Sequence, residues 1–329
     1  MRAVQFNEFA GIDALRLEAV ADPAPAEGEV LVKVTAVGLN FFDTLVLRDK
    51  YQFTPRLPSS PGGEIAGVVE ALGDGVTGVT GVSVGQRVMA YVGGNGCRER
   101  LAIKASSAIP IPDGVSDDVA AGVSITYGTA MHGLKDRANL RPGETVAVLG
   151  AAGGAGLAAV EIAKLMGARV IAVASSAEKV ALAKQYGADE GIDYMQDDLK
   201  TALKARTAPQ GLDVLYDCVG GDSAEPSLRA LGWKGRYLVI GFASGDIPRI
   251  PLNLVLLKGC DVLGVFWTAF VDREPEAHRA NTLQVLDWCR DGKLAPHIHG
   301  TFPLAETAQA LRLIQGRKAN GKVIVRPQE

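Results

Sequence analysis

At 329 residues, 47% hydrophobic and 22% charged, the chain has the composition of a globular protein and too much length for one ordinary core, so two domains are expected. Lys and Arg number 34 against 37 Asp and Glu, a formal net charge of −3 with no basic block or aromatic-basic stripe, which argues against a nucleic-acid partner. The longest uncharged apolar stretch, residues 146–160, is short for a bilayer span and is interrupted by four glycines, so no membrane insertion is expected.

In chain order, the N-terminal stretch MRAVQFNEFAGIDALRLEAV alternates polar and apolar residues without an apolar h-region, so no signal peptide is expected. The first hundred or so residues read as short strands with Gly/Pro punctuation: EVLVKVTAVG, GEIAGVVEALG, QRVMAYV and RERLAI, with turns such as GDGVTGVTGVSVGQ. Among them GLNFFDTLVLRDKY, residues 38–51, sets an amide, a carboxylate and a phenol into an apolar and aromatic run. Asn40 and Asp43 have the spacing of an N-cap and its N3 partner, and that spacing alone leaves open whether they cap a helix or form a site.

From Ser116 a long helical stretch begins, and apolar β-runs then alternate with helical segments: TVAVLG, RVIAVA, EGIDY, LDVLYDCVG, GRYLVIGF and CDVLGVF. Six such runs with crossovers predict an α/β domain built on a doubly wound six-stranded parallel sheet. Beyond Trp267 come an amphipathic helix, an extended piece, the helix LAETAQALRLIQG and a closing strand GKVIV, a tail too small to stand alone and expected to complete the N-terminal domain. Cys97, Cys218, Cys260 and Cys289 are scattered with no C-x-x-C pair, which fits a reducing cytoplasm and excludes a thiolate zinc knuckle. His297 and His299 have no Cys, Asp or Glu beside them and read as structural or surface residues.

The most informative stretch is ETVAVLGAAGGAGLAAVEIAKLMGARVIAVASS. A strand ends at Leu149, a turn carrying Gly150, Ala151, Gly153 and Gly154 follows, and a helix begins near Ala155. Glycines at the first strand–helix turn let the backbone approach a pyrophosphate, and the helix N-terminus supplies N–H groups to it. The second strand of the alternation runs into Ser175-Ser176, with Lys179 one helical turn on. Small hydroxyls and a cation, where an NAD-preferring site usually carries an acid, predict NADPH as cofactor.

With these motifs in hand, the sequence resembles the zinc-free medium-chain dehydrogenase/reductases, closest to the NADPH:quinone oxidoreductases. The resemblance rests on GLNFFDT, PSSPGGEIAGVV, GQRVMAY, LGAAGGAGL, LYDCVGG and GKVIV, and spans essentially the whole chain. It implies a GroES-like catalytic domain over residues 1–121 and 268–329 and a Rossmann domain over 122–267. In zinc-dependent relatives a metal-binding cysteine stands at the position of Asn40 and a histidine at that of Gly63, so only Glu64 of the set remains and no metal is expected. The resemblance further implies that Thr126 touches the nicotinamide carboxamide. Ser175, Lys179 and Tyr194 would surround the 2′-phosphate with Arg317 as a second cation, and Phe242 and Val265 would flank the nicotinamide. Asn320 and Lys322 would close over the cofactor.

Without a metal, hydride transfer should favour an acceptor that delocalises its own charge, such as a quinone or an α,β-unsaturated carbonyl. The resemblance puts Asn40 and Tyr51 near the reacting carbon, Asn40 as an amide donor and Tyr51 as a proton donor, and leaves Asp43 to the helix start. Leu45 stands where quinone reductases of the family often carry a further tyrosine. Two alternatives therefore stay open: an enone or enoyl/acryloyl thioester reductase, for which Arg48, Lys50 and Arg56 are candidate phosphate contacts, and a non-catalytic NADPH-binding protein. A homodimer is expected from the resemblance and from the apolar edge strand CDVLGVF.

Overall fold

In the computed structural model, residues 1–76 and 81–329 are described, and part of the turn-rich GDGVTGVTGVSVGQ lies outside them. The chain forms two compact units, Met1–Ile125 with Thr282–Glu329, and Thr126–Asn281.

The first unit opens with an antiparallel pair, β1 (Arg2–Gln5) and β2 (Arg16–Ala19). The long β3 (Glu29–Leu39) alternates half-buried and buried residues along most of its length, the period-2 pattern of a strand with one face on a core. After α1 (Phe41–Val46) come β4 (Glu64–Leu72), β5 (Arg87–Tyr91), β6 (Arg100–Lys104) and β7 (Ile109–Pro110). Helix α2 (Asp117–Met131) then carries the chain out of this unit and continues as a π-helical turn, His132–Arg137.

The second unit alternates β8 (Thr145–Leu149), α3 (Gly154–Leu165), β9 (Arg169–Ala174), α4 (Ala177–Gln185), β10 (Glu190–Asp193), α5 (Leu199–Thr207), β11 (Leu212–Asp217), α6 (Ala224–Leu228), β12 (Leu231–Val239), α7 (Leu252–Lys258) and β13 (Asp261–Gly264). The sheet order is β10-β9-β8-β11-β12-β13, every pair parallel. The order reverses between β8 and β11, the topological switch point at which doubly wound sheets bind ligands. Its core gathers Leu149, Ile171, Val173, Leu203, Leu215, Leu228 and Tyr237.

Helices α8 (Trp267–Arg273) and α9 (Pro275–Arg290) follow. The second unit ends at Asn281 rather than at residue 267 because these helices are tied into it. The Phe270 ring stacks on His132 at 3.9 Å, and Lys135 Nζ donates to Asn281 Oδ1 at 2.7 Å. Likewise its start falls at Thr126, inside α2, rather than at residue 122.

The tail returns to the first unit as β14 (Ile298–Pro303), α10 (Thr307–Gln315) and β15 (Lys322–Arg326). There β15 pairs with β14 on one side and with β3 on the other, in a sheet ordered β14-β15-β3-β4-β5-β7 with β6 also on β3. Leu304, Leu311, Val323 and Val325 of the tail share one core with Val32, Val37, Leu47 and Ile65. The fold is α/β, a doubly wound parallel sheet joined to a β-rich unit.

Candidate active site

Strand register builds the polar cluster of the first unit. Val323 of β15 stands opposite Leu39 of β3, so one residue further Lys322 meets Asn40, while Gly38 of β3 stands opposite Glu64 of β4. Three residues far apart in the chain thus converge, and all three are buried: Glu64 is 0% exposed, Lys322 3% and Asn40 8%.

The Lys322 ammonium donates to Glu64 Oε1 at 2.6 Å, to Asn40 Oδ1 at 2.7 Å and to Leu39 O at 3.2 Å. Asn40 Nδ2 donates to Glu64 Oε1 at 2.9 Å, and Glu64 Oε2 accepts from the backbone N–H of Ile125 in α2 at 2.8 Å. A buried ion pair of this kind persists only when its other lone pairs and protons are also satisfied, and here they are. A Cβ on Gly38 would lie 2.1 Å from the Ala121 carbonyl oxygen and 2.6 Å from Glu64 Oε1, so only glycine lets β3 run this close to α2 and the carboxylate.

Asn40 is the N-cap of α1, its N–H held by the N3 carboxylate of Asp43 as in a capping box. The Asp43 carboxylate accepts from Asn40 N at 2.8 Å and from Gly62 N at 2.9 Å, which ties α1 to the loop before β4. Burial raises the Asp43 carboxyl to about 6; the two backbone N–H groups and the nearby Lys322 charge oppose that rise, and Glu64 adds to it. The amide and carboxylate of the GLNFFDT motif therefore serve both as helix cap and as members of a buried polar cluster.

Tyr51 is half-buried, its ring 5.3 Å from Phe42 and 5.2 Å from Phe53 between centroids. Phe42 also fills the space beside Gly63, where a Cβ would come within 2.5 Å of Phe42 Cζ.

These residues do not fit a catalytic zinc ion. The acceptor atoms of Asn40 and Glu64 that would face a cation already hold an ammonium, and a side chain at position 63 would collide with Phe42. Among the described residues no group of three His, Cys, Asp or Glu converges elsewhere.

The second unit carries a cradle of its own. After β8 the chain turns through Gly150 (φ 71°) into α3, whose N-cap is Gly153. A Cβ on Gly156 would lie 2.1 Å from the Gly150 carbonyl oxygen, so helix and turn touch backbone to backbone. Gly153 is different: a Cβ there would meet only Gly150 O, at 3.4 Å. The N–H groups of the first turn of α3, around Gly154 and Ala155, emerge beside Ala151 at the end of β8, the arrangement that holds a dinucleotide pyrophosphate. At the end of β9, Lys179 Nζ donates to Ser175 Oγ at 3.2 Å, and Ser176 Oγ caps α4 by accepting from Lys179 N at 3.3 Å. Lysine and two hydroxyls thus stand together, and no carboxylate ends the strand. The cradle fits an NAD(P)-type dinucleotide.

The remaining residues singled out from the sequence divide between the units. In the second, Thr126 is buried in α2, and Tyr194 packs against the core with its N–H on Ala174 O at 3.1 Å. Phe242 is half-buried beside Gly220, and Val265 is buried just past β13. In the first, Arg317 is exposed with a left-handed backbone (φ 55°), and the Asn320 N–H reaches His299 Nδ1 at 3.3 Å. Lys322 spends its donors inside the Asn40–Glu64 cluster. No local pattern in the sequence pairs Lys322 with Glu64, since 258 residues separate them.

Comparison with known proteins agrees with this geometry. Residues 26–133 match the alcohol dehydrogenase GroES-like domain and residues 154–282 the zinc-binding dehydrogenase family. The chain is 39% identical to the quinone oxidoreductase-like protein 2 homolog of Nematostella vectensis over 90% of its length and 81% of that protein's. It is 33% identical to a quinone oxidoreductase of Pseudomonas aeruginosa, with 99% of each covered. The crystal structure of Escherichia coli quinone oxidoreductase complexed with NADPH superposes with a TM-score of 0.91 at 28% identity, covering 99% of this chain and 100% of that one. A dinucleotide cradle on a doubly wound sheet, a GroES-like unit with a lysine ammonium at the metal corner, and relatives of this kind lead to one assignment: the chain is an oxidoreductase of the medium-chain dehydrogenase/reductase family, in its quinone oxidoreductase-like branch.

Proposed function

We propose that the chain reduces a quinone or another conjugated carbonyl with hydride from NADPH, without a metal. The observation that carries this reading is the Lys322 ammonium at 2.6 Å from Glu64 and 2.7 Å from Asn40. With those ligand atoms engaged, no Lewis acid is available to polarise a simple ketone, a contribution worth several kcal/mol. The acceptor must then spread its own developing charge, as quinones and α,β-unsaturated carbonyls do.

NADPH, when bound, supplies the hydride. Gly150, Ala151, Gly153, Gly154 and Ala155 would hold its pyrophosphate, and Ser175 and Lys179 its 2′-phosphate, with Tyr194 and Arg317 as further candidates. Thr126, Phe242 and Val265 are the candidates for orienting its ring, and Asn320 for closing over it. Asn40 would offer its amide N–H to the acceptor's oxygen, where charge develops. An alkene reductase, including one for enoyl thioesters, is the second reading. It is favoured by Tyr51, a phenol held between Phe42 and Phe53 and suited to deliver a proton after hydride addition. The chain would work in the cytoplasm, where its four free cysteines stay reduced, and as a homodimer through the edge strand β13.

The test is NADPH oxidation by the purified protein with quinones, enones and enoyl thioesters, with and without a chelator. Turnover of quinones or enones that survives chelation is expected. Turnover that needs added zinc would refute the metal-free reading. NADPH binding with no turnover of any acceptor would favour a binding protein.

A further inference from the structure

Asn40 lies between two neighbours that leave its amide no choice of orientation. A lysine ammonium only donates, so the atom facing Lys322 must be the amide oxygen; an ionised carboxylate only accepts, so the atom facing Glu64 must be the nitrogen. The second Nδ2 hydrogen has only Gly38 O, at a long 3.4 Å, so it is the donor an acceptor oxygen would engage at least cost. Lys322 has three protons and three acceptors: Leu39 O, Asn40 Oδ1 and Glu64 Oε1.

The geometry points to Lys322 as a positioning residue that holds the Asn40 carboxamide with its N–H, and never its oxygen, available to the reacting acceptor. It acts through Asn40 and touches neither acceptor nor cofactor. Wrongly turned, the same side chain would present a lone pair to a growing oxyanion and raise the barrier it should lower. The inference rests on the hydride-acceptor reading above and deepens it.

A substitution cycle tests it. Lys322→Met and Asn40→Ala are each expected to lower kcat about 10²-fold, the size of losing one oriented donor, with KM for NADPH nearly unchanged. Acting through one group, they should be non-additive, so the double variant is no slower than Asn40→Ala alone. Because Lys322→Met strands a buried carboxylate, Lys322→Met/Glu64→Gln supplies a neutral companion. There the oxygen of the introduced carboxamide stays on the Ile125 N–H, its nitrogen faces Asn40, and the Asn40 carboxamide is forced round. This companion should recover most of the thermal stability lost in Lys322→Met and none of the activity.

Losses that multiply, a tenfold rise in KM for NADPH with kcat kept, or wild-type turnover by the Lys322→Met/Glu64→Gln chain would each overturn the inference. If the wild-type protein reduces no acceptor, the function reading fails by itself, and the positioning role is decided without turnover. The Asn40 side-chain amide signals in a ¹⁵N–¹H spectrum should move in Lys322→Met or its neutral companion; unmoved signals would sink it.

Discussion

Asp43 shows how a single buried carboxylate couples the site to pH. Its acidity is displaced from an ordinary 3.8 to about 6, first by burial. A carboxyl whose folded value lies above its unfolded one binds more protons folded, so its contribution to stability is present below about pH 4 and is lost as pH rises through about 6. The stability advantage of the wild type over Asp43→Asn should therefore shrink by about 2 kcal/mol from about pH 4 to about pH 7, measured by urea unfolding across that range. A constant difference would mean that Asp43 stays ionised throughout. Lys179 makes a different prediction. Standing on Ser175 at the end of β9, it should serve the phosphorylated dinucleotide alone. Lys179→Ala is expected to weaken NADPH binding by roughly ten- to a hundredfold, the value of about 1.5–3 kcal/mol for a charge-assisted hydrogen bond, and to leave NADH binding nearly unchanged in a fluorescence titration. Equal weakening of both would remove Lys179 from the phosphate site.

At the scale of elements, the glycine turn between β8 and α3 separates two jobs that look alike in sequence. Gly156 is where backbone meets backbone: a methyl group there would stand 2.1 Å from the Gly150 oxygen and 2.7 Å from Ala151 Cα, atoms that cannot swing aside. Gly156→Ala should cost at least about 1–3 kcal/mol of stability, the penalty of overpacking. Gly153 has an ordinary backbone (φ −76°) and room for a methyl group, so Gly153→Ala should fold normally. On the proposed cradle its methyl group would intrude on the pyrophosphate, and dinucleotide affinity should fall with no change in melting temperature; a Gly153→Ala protein that binds normally would move the cradle elsewhere. The elements themselves were legible because each announces itself locally: β3 by its alternation, β8 to β13 by short apolar runs bounded by glycine turns, α1 by the Asn40–Asp43 spacing. The Asn40–Glu64–Lys322 cluster was not, since cross-strand register rather than sequence proximity creates it. The tie of α9 to the second unit is likewise invisible locally, as Lys135 and Asn281 meet from 146 residues apart.

For the whole molecule, one surface stands out. β13 is the last strand of the second unit's sheet, and in the same unit Trp233 of β12 (74% exposed), Leu252 (79%), Leu256 (79%) and Leu257 (74%) of α7, and Phe266 just past β13 (53%), face solvent. An uncovered sheet edge flanked by this much apolar surface is a liability that a second copy would remove. Light scattering on the wild type should give twice the chain mass, and Val262→Lys on β13 should give the single mass; a wild type that is monomeric at micromolar concentration would reject the dimer. The same topology orders events during synthesis. Every residue of the second unit has been made by Asn281, whereas β3 waits for a neighbour, β15, that leaves the ribosome some 280 residues after Asn40. Until then Glu64 lacks its ammonium, so the nascent chain completes its glycine turn between β8 and α3 before its buried ion pair, and a message cut short of Lys322 would yield a protein equipped with the first and denied the second.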